Sequence, residues 1–237
     1  MKVFVFDTIE EASKKAYDVF REAKDNGAKV FGLATGSTPE KLYDLLIDSD
    51  IDFTDSVAIN LDEYYGLPAD HPQSYAYFMK KHLFDKKPFK ETYIENGLNN
   101  DEDDEVRTYT EIIKKHPIDL QLLGVGPNGH IGFNEPGSPF DGHTQLVDLT
   151  ESTIKANSRF FDKIEDVPTK AYSMGIGEIL ESKELLFMAF GENKAYAVKE
   201  LLEGDITTDV PVTALRKHPN VTVIVDKAAA SKLTKEY

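Results

Sequence analysis

The chain has no cysteine among its 237 residues. That excludes a disulfide framework, a thiolate zinc site and a cysteine nucleophile. It also has no apolar run near the roughly 18 residues that a membrane-spanning helix requires. Positive charge is scarce: Lys and Arg total 27 against 42 Asp and Glu, a formal charge of −15. Phosphate backbones call for a basic footprint, so nonspecific nucleic-acid binding is not expected. The opening stretch MKVFVFDTIEEAS reads as a strand running into a helix, too short and too acidic at its end for a secretory signal. The triplet Ser231-Lys232-Leu233 is internal and is no peroxisomal address. A soluble, cytoplasmic protein with no nucleic-acid or membrane partner is the expectation. With 41% hydrophobic and 11% aromatic residues, the chain suits a folded globular protein.

Short apolar runs alternate with amphipathic stretches. The runs Val3–Phe6, Lys29–Ala34, Ser56–Leu61, Ile118–Val125, Leu185–Phe190 and Val221–Val225 predict strands, each bounded by Gly, Pro or Asp. Ile9, Ala12, Ala16, Val19, Phe20 and Ala23 fall on one face of a helix ending near Gly27. Further helices are predicted at about Glu40–Ile47, Ser74–Phe84, Glu102–Lys115 and Lys194–Leu202. Strands alternating with helices imply an α/β fold, an open and mostly parallel sheet with helices on both faces. No linker or internal repeat interrupts it, so one domain over residues 1–237 is expected. The acidic run Asn99–Glu105 lacks the spacing of a calcium loop and reads as a solvated helix entry.

In such a sheet, ligands bind beyond the carboxyl ends of the strands. The second strand is followed by Thr35-Gly36-Ser37-Thr38-Pro39, and the third by Asp62-Glu63-Tyr64-Tyr65-Gly66. The fourth is followed by Gly126-Pro127-Asn128-Gly129-His130, and the fifth by Gly191-Glu192-Asn193-Lys194. Four polar strand ends converge on one site. The Gly36 turn predicts an anion-binding helix start, with Ser37 or Thr38 as N-cap and Pro39 in the first turn. It lacks the Lys of a Walker loop. Gly124–Gly129 matches G-x-G-x-x-G, with Asp148 about 20 residues on, but Pro136, Gly137 and Pro139 forbid the helix a dinucleotide fingerprint must open. A long irregular loop is expected there, holding His130 and, five residues on, Glu135, a carboxylate that can orient the imidazole. Asp62 and Glu63 are candidates for proton transfer. Asp141-Gly142-His143 reads as a loop turn, and His71, His82, His116 and His218 as surface residues.

The segments GLATGSTP (32–39), NLDEYYGLPADHPQSY (60–75), LLGVGPNGHIGFNEPGSPF (122–140), ANSRFF (156–161) and GENKA (191–195) closely resemble the glucosamine-6-phosphate deaminase family. The resemblance runs through essentially the whole chain. It implies a Rossmann-like fold shared with phosphogluconolactonases and ribose-5-phosphate isomerase. It implies conversion of glucosamine 6-phosphate and water to fructose 6-phosphate and ammonia, formally a ketol-isomerising hydrolase in amino-sugar breakdown. No metal or organic cofactor is implied. By resemblance, Asp62 moves the proton from C2 toward C1, and His130 assists ring opening with Glu135 as its carboxylate partner. Gly36, Ser37, Thr38, Arg159 and Lys194 would hold the phosphate.

Two departures from longer members of that family stand out. They carry Asp where this chain has Asn128, so the group orienting His130 adds no charge. They are hexamers activated by an acetylated sugar phosphate, and the aligned basic positions here are Gln145 and Val147. An unregulated monomer or small homo-oligomer is expected. The rival readings are a 6-phosphogluconolactonase, which needs no Asp at a C2 proton, and a sugar-phosphate sensor, which needs no acid/base set. Thr144–Pro168 has mixed signals and is read as a cover over the sugar.

Overall fold

The computed structural model of the chain describes residues 1–158 and 161–237. Ten strands run β1 Lys2–Phe6, β2 Val30–Leu33, β3 Val57–Asn60, β4 Asp62–Tyr64, β5 Glu91–Tyr93, β6 Leu120–Leu123, β7 Gln145–Asp148, β8 Lys170–Ser173, β9 Glu184–Ala189 and β10 Val221–Asp226. The helices are α1 Ile9–Asp25, α2 Glu40–Asp48, α3 Tyr75–Met79, α4 Glu102–Lys115, α5 Glu151–Asn157, α6 Ile176–Leu180 and α7 Ala195–Glu203.

Seven strands form a parallel sheet in the order β1-β10-β9-β6-β2-β3-β5. All six predicted strands lie in it, with shifted ends. Every residue of β2, β3, β6 and β10 is buried, so both faces of the sheet's middle are covered. That is why these strands read as continuous apolar runs without alternation. The chain steps from β2 outward to β3 and β5, then returns to place β6 on the other side of β2. The loops after β2 and β6 therefore diverge, and a crevice opens between them at the strands' carboxyl ends.

Sequence periodicity does not anticipate the second sheet, β4-β8-β7, which is antiparallel. Its strands have three or four residues each. Asp62–Tyr64, read as a strand end, is itself a strand. After β3 the chain spends only Leu61 before joining this sheet, where Asp62 pairs with Ser173. A small apolar cluster seals it: Tyr64, Phe133, Leu149 and Ala171, flanked by Tyr75, Ile154 and Phe161. Part of the segment predicted to be a cover, Thr144–Pro168, is thus the edge strand β7 and helix α5.

Local signals account for most helix ends. Thr8 and Glu11 form a reciprocal capping box on α1. Ala12, Ala16, Val19 and Phe20 are buried as predicted, but Ile9, the first residue of the helix, is exposed. Asp101 caps α4 through Asp104 N, with the acids of the acidic run in its first turn. Two expectations fail. Pro39, not Ser37 or Thr38, is the N-cap of α2, and no side chain bonds there. The four histidines are half-buried rather than on the surface. His82 stacks on Phe78 and His116 packs against Tyr93; His218 bridges Ser182 O and Asn220 O, and His71 accepts from Gln73 N.

Candidate active site

Asp62 opens β4 and is 7% exposed. Its carboxyl receives no hydrogen bond among the described residues. Burial, reinforced by the neighbouring Glu63 charge, pushes its pKa up to about 8. Glu63, its sequence neighbour, has a different environment. Its oxygens accept from Tyr64 N at 2.8 Å, Tyr75 N at 2.9 Å and Ala76 N at 2.9 Å. Burial raises its pKa, and those three amides pull it back. Glu63 ties β4 to the start of α3 and so fixes the strand that carries Asp62.

The loop after β6 forms no helix, as its prolines and glycines require. It closes on itself through Gly126 N to His130 O at 2.9 Å and a bridge between Ile131 and Asn134. His130 Nδ1 lies 2.7 Å from Asn128 Oδ1, while Asn128 Nδ2 donates to Glu135 Oε2 at 2.9 Å. Glu135 Oε2 is also 3.6 Å from His130 Nδ1. An amide oxygen can only accept, so this arrangement places the proton of neutral His130 on Nδ1 and leaves Nε2 as a base. Burial lowers the His130 pKa; the Glu135 charge raises it in part and the Lys194 charge lowers it further. The other oxygen of Glu135 accepts from Thr153 Oγ1 and, at 3.4 Å, from Thr150 Oγ1, both at the start of α5. Sequence reasoning missed these two threonines. The capping pattern Thr150-Glu151-Ser152-Thr153 was the available signal.

The two acid/base elements meet at Gly132, which follows His130 by two residues. A Cβ placed there would stand 3.5 Å from Asp62 Oδ2, 3.5 Å from Asn134 Nδ2 and 3.0 Å from Ser173 Oγ. The Gly36 turn follows β2, with Gly36 in the left-handed region at φ +89°. Ser37 is exposed and Thr38 half-buried on this turn, and no side chain caps the helix it precedes. Lys194 lies at the start of α7, after β9, close enough for its charge to act on His130. Of the predicted residues, Asn128, His130 and Glu135 form one hydrogen-bonded chain with Lys194 in electrostatic reach, and Asp62 lies beside Gly132 of the same loop. Arg159 lies outside the described residues. Asp148, at the end of β7, pairs with Lys170 in solvent. His143 is exposed beside Glu178, and no group of three or more His, Asp or Glu among the described residues could hold a metal ion.

Comparison with known proteins agrees with this fold. The family model described as glucosamine-6-phosphate isomerases/6-phosphogluconolactonase matches residues 6–224. A glucosamine-6-phosphate deaminase of Lacticaseibacillus paracasei is 59% identical over 236 residues, covering 100% of both chains. That of Enterococcus faecalis is 57% identical, over 98% of this chain and 100% of the other. Among solved structures, a monomeric glucosamine-6-phosphate deaminase of the NagB superfamily superposes with a TM-score of 0.94 at 43% identity, covering 98% of this chain and 99% of the other. The 6-phosphogluconolactonase of Trypanosoma brucei shares the fold, with a TM-score of 0.81 over 98% of both chains, at 18% identity. With its sheet order, its switch-point crevice and matches of this length, the chain belongs to the glucosamine-6-phosphate isomerase and 6-phosphogluconolactonase family.

Proposed function

We propose that this chain catalyses the isomerising deamination of glucosamine 6-phosphate with water to fructose 6-phosphate and ammonia. The observation that carries the reading is the buried, unbonded carboxyl of Asp62 set against the His130–Asn128–Glu135 chain. Lactone hydrolysis needs a base for water but no carboxyl at a C2 proton. Full-length identity to deaminases, against 18% to a lactonase, supports the same choice.

The Gly36 turn, Ser37, Thr38, Lys194 and Arg159 hold the phosphate. It is remote from C1 and C2, so its binding energy positions the reacting end. His130 Nε2 takes the O1 proton of the pyranose and returns it to the ring oxygen, opening the sugar to an aldehyde. Asp62, ionised, then removes the C2 proton, made acidic by the C1 carbonyl, and delivers it to C1, while a proton of the C2 amino group passes to O1 and the nitrogen's lone pair forms the C2–N double bond. The resulting C2 imine takes up water and releases ammonia. Each proton leaving a carbon or oxygen is returned to another atom of the substrate, and the balance is one water in and one ammonia out. We also read the enzyme as monomeric and unregulated, with hyperbolic kinetics; the likeness to a monomeric deaminase supports this.

The direct test is release of ammonia and fructose 6-phosphate from glucosamine 6-phosphate, assayed beside 6-phosphogluconolactone hydrolysis. Equal amounts of both products support the reading. Lactone hydrolysis without ammonia overturns it.

A narrower prediction concerns Glu135. Its charge is what favours the imidazolium of His130 against burial and Lys194. Glu135→Gln keeps an acceptor for Asn128 but removes that charge, so His130 gains a proton less readily. An adjacent opposite charge is worth about 1–3 pKa units, so kcat is expected to fall roughly ten- to a hundredfold with KM little changed. Steady-state kinetics on the pyranose substrate check this.

A further inference from the structure

The segment leaving β5 carries a second enclosed carboxyl that the reaction above does not use. Glu95 follows the end of β5 by two residues, as Asp62 follows the end of β3 by two, and β3 and β5 are neighbours. Its side chain is 2% exposed, and neither oxygen receives a hydrogen bond from another residue. The segment is held in place. Gly66 N donates to Gly97 O at 2.7 Å, and a side chain at position 97 would meet Tyr64 O at 2.2 Å. The chain just beyond Glu95 therefore lies hard against the end of β4, the strand that Asp62 opens.

Acids surround this position. Asp62 and Glu63 face it from β4 and Glu105 from α4, and Glu178 of α6 acts on the same Tyr109 that Glu95 does. Tyr109 of α4 covers the strand ends, its hydroxyl donating to Asn60 O at 2.5 Å. Three of these acids are provided for. Glu63 accepts three backbone amides. Glu105 accepts from Asn96 N and Asn99 Nδ2, and Glu178 from Thr144, Gly175 and Thr110. Among the described residues Asp62 and Glu95 accept no hydrogen bond from another residue, and the leading charges acting on Glu95 are those of acids. An enclosed carboxylate that no other residue's donor reaches and that faces other acids is strongly disfavoured, so the group keeps its proton. Burial, then the charge of Asp62, holds its pKa well above the ordinary range, against the small pull of its own backbone N–H.

We propose that Glu95 is a positioning residue for Asp62, a neutral, proton-bearing carboxyl behind the base that leaves the negative charge at the ends of β3 and β5 to Asp62. Ionisation of either acid opposes ionisation of the other. The proposal rests on Asp62 as the base, but its test reads charge coupling rather than turnover, so failure of the deamination assay and failure of this coupling are separate results.

The test is a double-mutant cycle of Glu95→Gln and Asp62→Asn, followed by Tm across about pH 5–9.5 and by the infrared band of protonated carboxyls. A carboxyl protonated in the folded chain and ionised in the unfolded one makes folding less favourable as pH rises. Glu95→Gln is therefore expected to lose a protonated-carboxyl band at neutral pH and to raise Tm, by a margin that grows with pH. Above about pH 8, where Asp62 is ionised, that margin shrinks in the Asp62→Asn background, because the neighbouring charge is gone. Glu95→Met, apolar and unbranched, carries the same expectation should Gln fail to fold. A margin equal in the two backgrounds, or no Glu95 band at neutral pH, overturns the proposal.

Discussion

Asp62→Asn is expected to lower kcat by roughly 10²–10⁴-fold, the usual worth of a positioned general base, with KM nearly unchanged. Asn has the same shape, and among the described residues the Asp62 side chain makes no hydrogen bond that the substitution would break, so the site keeps its form. What it loses is the one group able to carry a proton from C2 to C1. The same substitution has a second signature, of opposite sign. The carboxyl pKa rises from an ordinary 3.8 in the unfolded chain to about 8 in the folded one. Between those values the folded state binds more protons than the unfolded state, so stability falls as pH rises through that window. The neutral amide escapes this cost. Asp62→Asn is expected to melt higher than the parent by an amount that grows from about pH 4 to about pH 8, on the order of several kcal/mol at the top. A raised pKa also places the acid limb of kcat/KM near pH 8 in the free enzyme, far above an ordinary carboxylate. Thermal melts and pH–rate profiles of the pair check both. An Asn variant that turns over at the parent rate would remove Asp62 from the mechanism.

The parts of the fold legible from sequence are those whose burial is two-sided. β2, β3, β6, β9 and β10 are enclosed by helices, and such strands announce themselves as apolar runs between turn residues. β4 and β5 have only three residues, β5 and β7 carry half-buried or exposed ones, and β8 opens on exposed Lys170, so neither an apolar run nor a period of two is sustained. The second sheet was invisible for that reason. The site was legible where chemistry sits just after a fully buried strand, as for Asp62 and the His130 loop. It was not legible where a role depends on which backbone amides come near. Asp62 and Glu63 are adjacent in sequence, yet one is left unbonded and the other is held by the first turn of α3. Glu95 follows a three-residue edge strand and looks like any solvated acid until the packing of α4 and Gly97 encloses it.

The second large effect is expected from Gly126→Ala, a substitution that touches no functional group. The ring of His130 lies flat against the backbone of Gly126. A Cβ there would stand 2.0 Å from His130 Cε1, 2.2 Å from Nδ1 and 2.4 Å from Nε2. No real Cβ contact is so short, so the ring or the loop must give way. The loop is constrained by Gly126 N to His130 O and Gly129 N to Gly126 O, which close it at 2.9 and 3.0 Å, and by Val212 N to Gly129 O at 2.8 Å. Among the described residues, the imidazole's short-range side-chain bond is to Asn128. The ring is therefore the part that moves, and the 2.7 Å contact that sets its tautomer goes with it. Displacement of a catalytic group by about 1 Å costs on the order of 10²-fold, so kcat/KM is expected to drop by that factor or more. The loss should fall mainly on ring opening, because Asp62 belongs to β4 and is anchored through Glu63 rather than through this loop. Proton exchange at C2 on an open-chain substrate analogue is then expected to survive in Gly126→Ala and to vanish in Asp62→Asn. Equal loss of that exchange in both variants would mean that the two elements do not act on separate steps.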